Sequence, residues 1–188
     1  MTHLITSPVD TLLSPLQIVA GVAAKQSTLP ILQHALIRKR GGELEMLASN
    51  IDMEISAREL VGDPSEDFET TLDARKLYSI LRALPKRDVT LTQSAEDSVV
   101  LKCRRSRFTL RTLPAVDFPR FDVQPAADAL PPVRLQATQG AMKRAMQRAA
   151  VAMAKNDVRF YLNGLCMDVR KSRKNTLVAL SIIVLRCL

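Results

Sequence analysis

Tryptophan is absent from this 188-residue chain, and five Phe and two Tyr are its other aromatics. Leu, Val, Ile, Met and Ala must therefore fill any core. Histidine occurs only at His3 and His34, each isolated in a strand-like run, which fits structural imidazoles and no His-based catalytic pair. The three cysteines, Cys103, Cys166 and Cys187, are odd in number and lack metal-knuckle or disulfide-framework spacing, so reduced thiols of a cytosolic protein are expected. None of the six glycines is followed by Lys-Ser or Lys-Thr, so no phosphate loop of that type exists. The N-terminus has no basic segment leading into an apolar run, and the most apolar stretch, Leu177 to Leu185, is too short to span a bilayer. No secretion signal and no membrane partner are expected.

Acidic residues are the scarcer charge, 19 against 27 Lys and Arg, for a formal net charge of +8. Five of those cations (Arg170, Lys171, Arg173, Lys174, Arg186) lie in residues 170–188, where no acid occurs. Setting the five aside leaves 22 basic against 19 acidic residues, so charge alone argues weakly for nucleic-acid binding by the body of the chain.

The pattern along the chain alternates short strands with two amphipathic helices. Residues 3–6 read as a strand, and Ser7-Pro8 as a cap with Pro at the first helical position. Leu12, Leu16, Val19 and Ala23 then recur at helical spacing, with Pro15 expected to kink or restart the helix. Gly41-Gly42 is a turn between strands, and Ile51, Met53, Ile55 and Ala57 alternate with polar residues as a half-buried strand. Asp63-Pro64-Ser65 is a further turn. Asp73 caps a second helix whose stripe is Leu77, Ile80, Leu81 and Leu84, stopped by Pro85. Strand-like runs follow at 89–91, 98–103 and 107–113.

Residues 114–132 hold five prolines and read as a linker. Beyond it the opening pattern returns: a strand at Val133–Leu135, a cap at Thr138, a helical stripe of Met142, Met146, Ala149 and Met153, and a strand-like Val158–Leu162. Lys155 follows this helix as Lys25 follows the first, 130 residues earlier. That self-similarity implies a complete α+β domain of mostly antiparallel strands and the start of a second copy.

Nothing in the pattern asks for an enzyme. Glu43, Glu45, Asp52 and Glu54 invite a metal site, but their period-two placement puts them on the solvent face of strands. No nucleophile has a base nearby in sequence. No cofactor is expected.

Five segments, in order, resemble the bacterial DNA polymerase III beta subunit (beta sliding clamp) family. They are Thr28–Leu32, Asp52–Ile55, Ala74–Leu77 with Leu84-Pro85, Arg105–Pro119 and Asn156–Gly164, within residues 3–167. The resemblance implies a DNA-clamp fold of class α+β, with antiparallel sheets outside and helices lining the inner face. Residues 1–126 would be the N-terminal clamp domain and 127–179 part of the middle domain. It also implies a non-catalytic processivity factor of DNA replication, in the cytoplasm, working as a homodimeric ring. Its partners would be double-stranded DNA, polymerase and clamp-loader subunits, and itself. A ring that slides should touch phosphates loosely and avoid base readout.

Matched position by position, Lys25 and Gln26 fall on the family's DNA-facing loop after the first helix. Asn156, Arg159, Phe160 and Tyr161 fall on the corresponding loop of the second domain, with Phe160 where the family commonly has Tyr. Leu162 matches a wall of the pocket that receives partner motifs. Lys76, Ile80, Leu84, Phe108 and Leu110 match the first-domain half of the dimer interface, although periodicity alone assigns the apolar ones to a core.

The sequence departs from the family after Val178-Ala179, where Val-Ala-Thr-Asp-Gly-His-Arg-Leu-Ala is usual. Suitable codons for residues 182–186 would read His-Arg-Leu-Ala-Leu in a shifted frame, so a frameshift near codons 180–182 and an out-of-frame tail over 180–188 are expected, against a chance match allowed by codon degeneracy. On that reading the chain is a truncated clamp fragment that closes no ring. Two other readings remain open: a free-standing basic nucleic-acid-binding module using Arg170–Lys174, and an enzyme built on the strand carboxylates.

Overall fold

A computed structural model describes residues 2–51, 53–120, 136–154, 157–171 and 178–183. The chain forms two compact units, Met1–Gln124 and Pro125–Leu188.

The first unit contains two four-stranded antiparallel sheets and two helices. One sheet has the order β1-β6-β7-β8, from Thr2–Pro8, Asp88–Ala95, Ser98–Cys103 and Ser106–Arg111. The other has the order β4-β3-β2-β5, from Glu54–Leu60, Glu43–Ser49, His34–Arg40 and Phe68–Asp73. Helix α1, Val9–Val19, packs on β3, β4 and the second helix, α2, Ala74–Ala83. Their buried stripes, Leu12, Leu16 and Val19 on α1 with Leu77 and Leu81 on α2, join Ile5, Ile37, Met46, Leu72, Val89 and Leu101 in one core. Burying each of these side chains contributes about 1.5–3 kcal/mol.

The reasons for these elements are local. Asp73 accepts from the Lys76 amide at 2.8 Å and caps α2, and Leu84 leaves the helix before Pro85. Gly41, at φ +57, turns β2 into β3. Ser65 donates its amide to Asp63 at 2.6 Å, making the Asp63-Pro64-Ser65 turn.

Several expectations need correction. Ser7 belongs to β1; its hydroxyl is buried without a partner, and Pro8 holds the cap position without a side-chain bond. Pro15 lies inside α1, which continues through it to Val19; burial of Pro15 with Leu12 and Leu16 holds the turn despite the lost amide. Strand β4 starts at Glu54, because Ile51 turns the chain at φ +79, with Ile51 and Met53 exposed. Glu45 is buried: Arg38 and Arg58, its cross-strand neighbours, both hydrogen-bond its carboxylate. The two histidines are bonded structural residues, His3 to Thr6 at 2.9 Å and His34 to Thr71 at 3.2 Å.

In the second unit, helix α3, Gln139–Ala150, is capped by Thr138 Oγ1, which accepts from Ala141 at 3.3 Å. Its stripe of Met142, Met146 and Ala149 is only partly covered. Two antiparallel strands, β9 (Cys166–Lys171) and β10 (Val178–Ile183), follow. Val158–Leu162 is no strand: Val158 is fully exposed and Phe160–Asn163 forms a 3-10 turn. Val133–Leu135 lies outside the described residues.

Candidate functional site

The loop after α1 is fastened at both ends. The Ala24 amide donates to the Leu32 carbonyl at 3.0 Å, and Leu32 donates to Leu29 at 3.1 Å within the 3-10 turn Pro30–Gln33. Arg75 of α2 reaches the Ala23 carbonyl at 3.1 Å. Leu32, 3% exposed, anchors the returning chain, while Lys25 and Gln26 stand in solvent. The fold thus presents a cation and an amide on a constrained loop.

The second unit builds the same loop. Ala154 donates to the Leu162 carbonyl at 3.1 Å, Leu162 donates to Arg159 at 2.9 Å, and Leu162 is 7% exposed. Each donor and acceptor is displaced by 130 positions from its counterpart in the first unit. Here the local scaffold is polar: Asp157 and Asn163 exchange two hydrogen bonds of 2.9 Å. Arg159 is held by Asp157 through Nε and Nη2, both at 3.1 Å. Those bonds hold the Asp157 carboxyl below the usual carboxylate range. Phe160 and Tyr161 open the 3-10 turn, and Asn156 lies outside the described residues. Arg75, Asp157 and Asn163 escaped sequence reasoning, although the last two lie inside the family-like segment 156–164.

The other group of sequence-assigned residues gathers around α2 and β8. Lys76 is exposed, Ile80 on α2 and Leu84 just past its end are half-buried against the core, and Phe108 on β8 is half-buried too. Leu110, 2% exposed, belongs to the core and offers a partner no surface of its own. Among the described residues β8 is an edge strand with one side unpaired. The opposite edge of that sheet, β1, is covered: Thr6 donates to Asp63, and Ser65 Oγ donates to the Leu4 carbonyl at 2.6 Å. Lys39, buried in the second sheet, donates to the Ser65 carbonyl and holds that cover in place.

On the other face of the second sheet, Arg58, Glu45, Arg38 and Glu69 form a row of alternating charge across all four strands. Arg58 meets Glu45 at 2.9 Å, and Arg40 meets Glu69 at 3.6 Å. Burial pushes the Glu45 carboxyl up, but the two guanidiniums outweigh it and hold it below the usual range. Among the described residues, no group of three His, Cys, Asp or Glu could hold a metal, and no helix is long and apolar enough to cross a membrane.

These features define a repeat-built α+β protein that presents constrained polar loops and an open sheet edge. The family described as DNA polymerase III beta subunit, N-terminal domain, matches residues 5–122, and the chain belongs to that family. The beta sliding clamp of Pseudomonas putida is 37% identical over 172 residues, 92% of this chain and 45% of that protein. The Escherichia coli K12 beta sliding clamp is 36% identical over 165 residues, 88% of this chain and 44% of its own length. The crystal structure of the DNA polymerase III subunit beta from Pseudomonas aeruginosa superposes with a TM-score of 0.79 at 35% identity, covering 88% of this chain and 43% of that one. The Caulobacter crescentus sliding clamp gives 0.79 at 32% identity, covering 90% and 45%. The chain thus spans a little under half the length of these relatives.

Proposed function

We propose that this chain serves in a DNA polymerase processivity factor, contacting duplex DNA without catalysis and without base readout. The observation that carries the reading is the loop repeated at an offset of 130 residues, Lys25-Gln26 in one unit and Arg159 to Tyr161 in the other. Each copy is tied at its base by the same pair of backbone bonds, so the exposed residues are held out on a rigid support. One exposed lysine, Lys25, on the first loop suits loose phosphate contact, which attracts duplex DNA without stopping it at any sequence. Arg159 contributes less than a free guanidinium, because Asp157 takes part of its field. Asn156 belongs with the second loop by sequence match.

The α2–β8 face, with Lys76, Ile80, Leu84 and Phe108 over the buried Leu110, serves subunit association. An open strand edge beside half-exposed apolar side chains is the kind of surface a second polypeptide covers. By sequence match Leu162, itself buried, underlies the surface for short motifs of polymerase and clamp-loader subunits, and the working compartment is the cytoplasm.

Fluorescence anisotropy on duplexes of unrelated sequence tests the reading. Affinity should be weak, equal across sequences and steeply salt-dependent, and Lys25→Ala should lower the slope of log K against log salt by about 1. Strong preference for one sequence, or no response to Lys25→Ala, would sink it.

A further inference from the structure

Where β1 hands over to α1 lies an open hollow of about 500 Å³. It is lined by Thr6, Ser7 and Pro8, by Thr11 of α1, by residues 60–64 at the end of β4 and beyond, and by Asp88 at the start of β6. Ser7 is 5% exposed, and its hydroxyl is the one buried side-chain polar atom among the described residues that has no hydrogen-bond partner. A buried hydroxyl left unmet on the lining of an open hollow points to a group that enters from outside. Two acids flank it. Asp63 lies on one side of β1, accepting from the Thr6 amide and from the Ser65 amide at 2.6 Å, and Asp88 lies on the other, in register with Pro8. Thr6 and Pro8 are two residues apart, so the acids are offset by about 7 Å along the strand, with Ser7 between them. Burial pushes the Asp63 carboxyl up, but hydrogen bonds from Ser65 and Thr6 outweigh it, with His3 nearby, and hold it below the usual range. Among the described residues neither Asp63 nor Asp88 has an ion-pair partner, and Lys86 beside them is taken by Asp10 at 3.4 Å.

The lining narrows the ligand. Two acids and an unmet hydroxyl, with no cationic side chain among them, call for a positively charged hydrogen-bond donor. A metal ion is poorly served, because among the described residues no three His, Cys, Asp or Glu come together. An aromatic ligand finds no ring to stack on. The rest of the lining is aliphatic, namely Pro8, Leu60, Val61 and Pro64, and Leu60 is 80% exposed, which suits a chain of methylenes. We propose that this hollow binds a short aliphatic diammonium ion, one ammonium on Asp63 and the other on Asp88. Its methylenes lie on Leu60 and the prolines, and one N–H donates to Ser7 Oγ. The chain as a whole carries a net charge of +8 and repels cations, so binding here needs a built site and not bulk attraction. Neither the repeated loops nor the α2–β8 face contributes a residue to it.

The probe is 1,4-diaminobutane, titrated calorimetrically into the full chain at low salt, with butylamine and magnesium chloride in parallel. Saturable binding of the diamine is expected, about tenfold tighter than that of butylamine, which carries a single ammonium. Asp88 is exposed, so Asp88→Asn leaves the fold intact and should weaken the diamine about tenfold. Glu96→Gln, on the exposed β6–β7 turn, should leave the affinity unchanged. Ser7→Ala should weaken the diamine about threefold and at the same time raise the melting temperature, since it deletes a buried hydroxyl that has no partner. Lost binding with gained stability cannot come from misfolding. No saturable heat from the diamine overturns the proposal, as does an affinity that Asp88→Asn leaves unchanged. Butylamine binding as tightly as the diamine overturns the two-point contact. Magnesium binding as tightly, and lost in Asp88→Asn, would make the hollow a metal site instead.

Discussion

Leu32 and Leu162 occupy the same position in two copies of one loop: each accepts a backbone hydrogen bond from an alanine eight residues before it, at 3.0 and 3.1 Å. Each also donates to the residue three before it and turns its side chain inward. What varies is the sequence between the fixed points. The first copy carries an exposed Lys-Gln pair braced by Arg75, and the second carries the Asp157–Arg159 pair braced by Asn163. The loop base is therefore the inherited unit, and the exposed residues are what differs between the two copies.

Leu32→Ala separates geometry from charge. It should destabilise the first unit by about 2–3 kcal/mol through the cavity it leaves, and hydrogen exchange at the Ala24 amide should quicken. Duplex affinity should fall with the salt slope unchanged, because no cation is lost. Unchanged affinity and slope would mean that Lys25 is not positioned by this loop base.

Glu45 should support the second sheet in a pH-dependent way. Its carboxyl titrates below the unfolded value of 4.5, so its contribution is fully present above that pH and is lost as pH falls through the lower folded value. Glu45→Gln should cost about 1–2 kcal/mol at pH 7, and the gap from the parent chain should close as the pH falls below 4.5. Urea midpoints across that range give the answer; a gap independent of pH would show that Arg38 and Arg58 hold Glu45 by shape alone.

His34 gives a second, higher window. Burial lowers its pKa below 6.5, against the opposing pull of Asp73 and a hydrogen bond to Thr71. The unfolded chain therefore binds the proton more readily. Stability should be complete above about pH 6.5 and decline as pH falls through the folded value. His34→Asn should flatten the stability profile between pH 5 and 7. Thr71 also bonds both the N–H and the carbonyl of Leu113, at 2.9 and 2.7 Å, so the decline should be accompanied by faster exchange at the Leu113 amide.

Much of the first unit was legible because its signals are local. Asp73 before a 3.6-residue stripe and Gly41-Gly42 between alternating runs each dictate the backbone that forms. Features set by pairing across the sheet were less legible. Glu45 looked like a solvent-facing carboxylate because its two arginines, at positions 38 and 58, join it only through strand register. Leu110 could be placed by resemblance on a face or by periodicity in a core, and only packing puts it in the core. Val158 to Leu162 has strand composition, yet Asp157 and Asn163 close the chain into a turn there.

Ile51 is where sequence pattern and structure diverge most, and it supplies the sharpest test of stability. Alternation places it in a strand, yet it stands at φ +79 and is 55% exposed. The turn is held by its neighbours: the Met53 amide donates to Asn50 Oδ1 at 2.8 Å, the Asn50 amide to the Met53 carbonyl at 3.1 Å, and the Ile51 amide to Ser49 Oγ at 3.3 Å. These bonds impose a conformation that a β-branched side chain resists, at a cost of about 1–2 kcal/mol. Glycine would relieve the clash, although the unfolded chain would gain some freedom. Ile51→Gly should therefore stabilise the first unit by about 0.5–1 kcal/mol net, while Ile51→Val should change little. If glycine destabilises instead, the exposed Ile51 side chain makes a contact worth more than its strain, and the β3–β4 turn is a packed element and not a free tip.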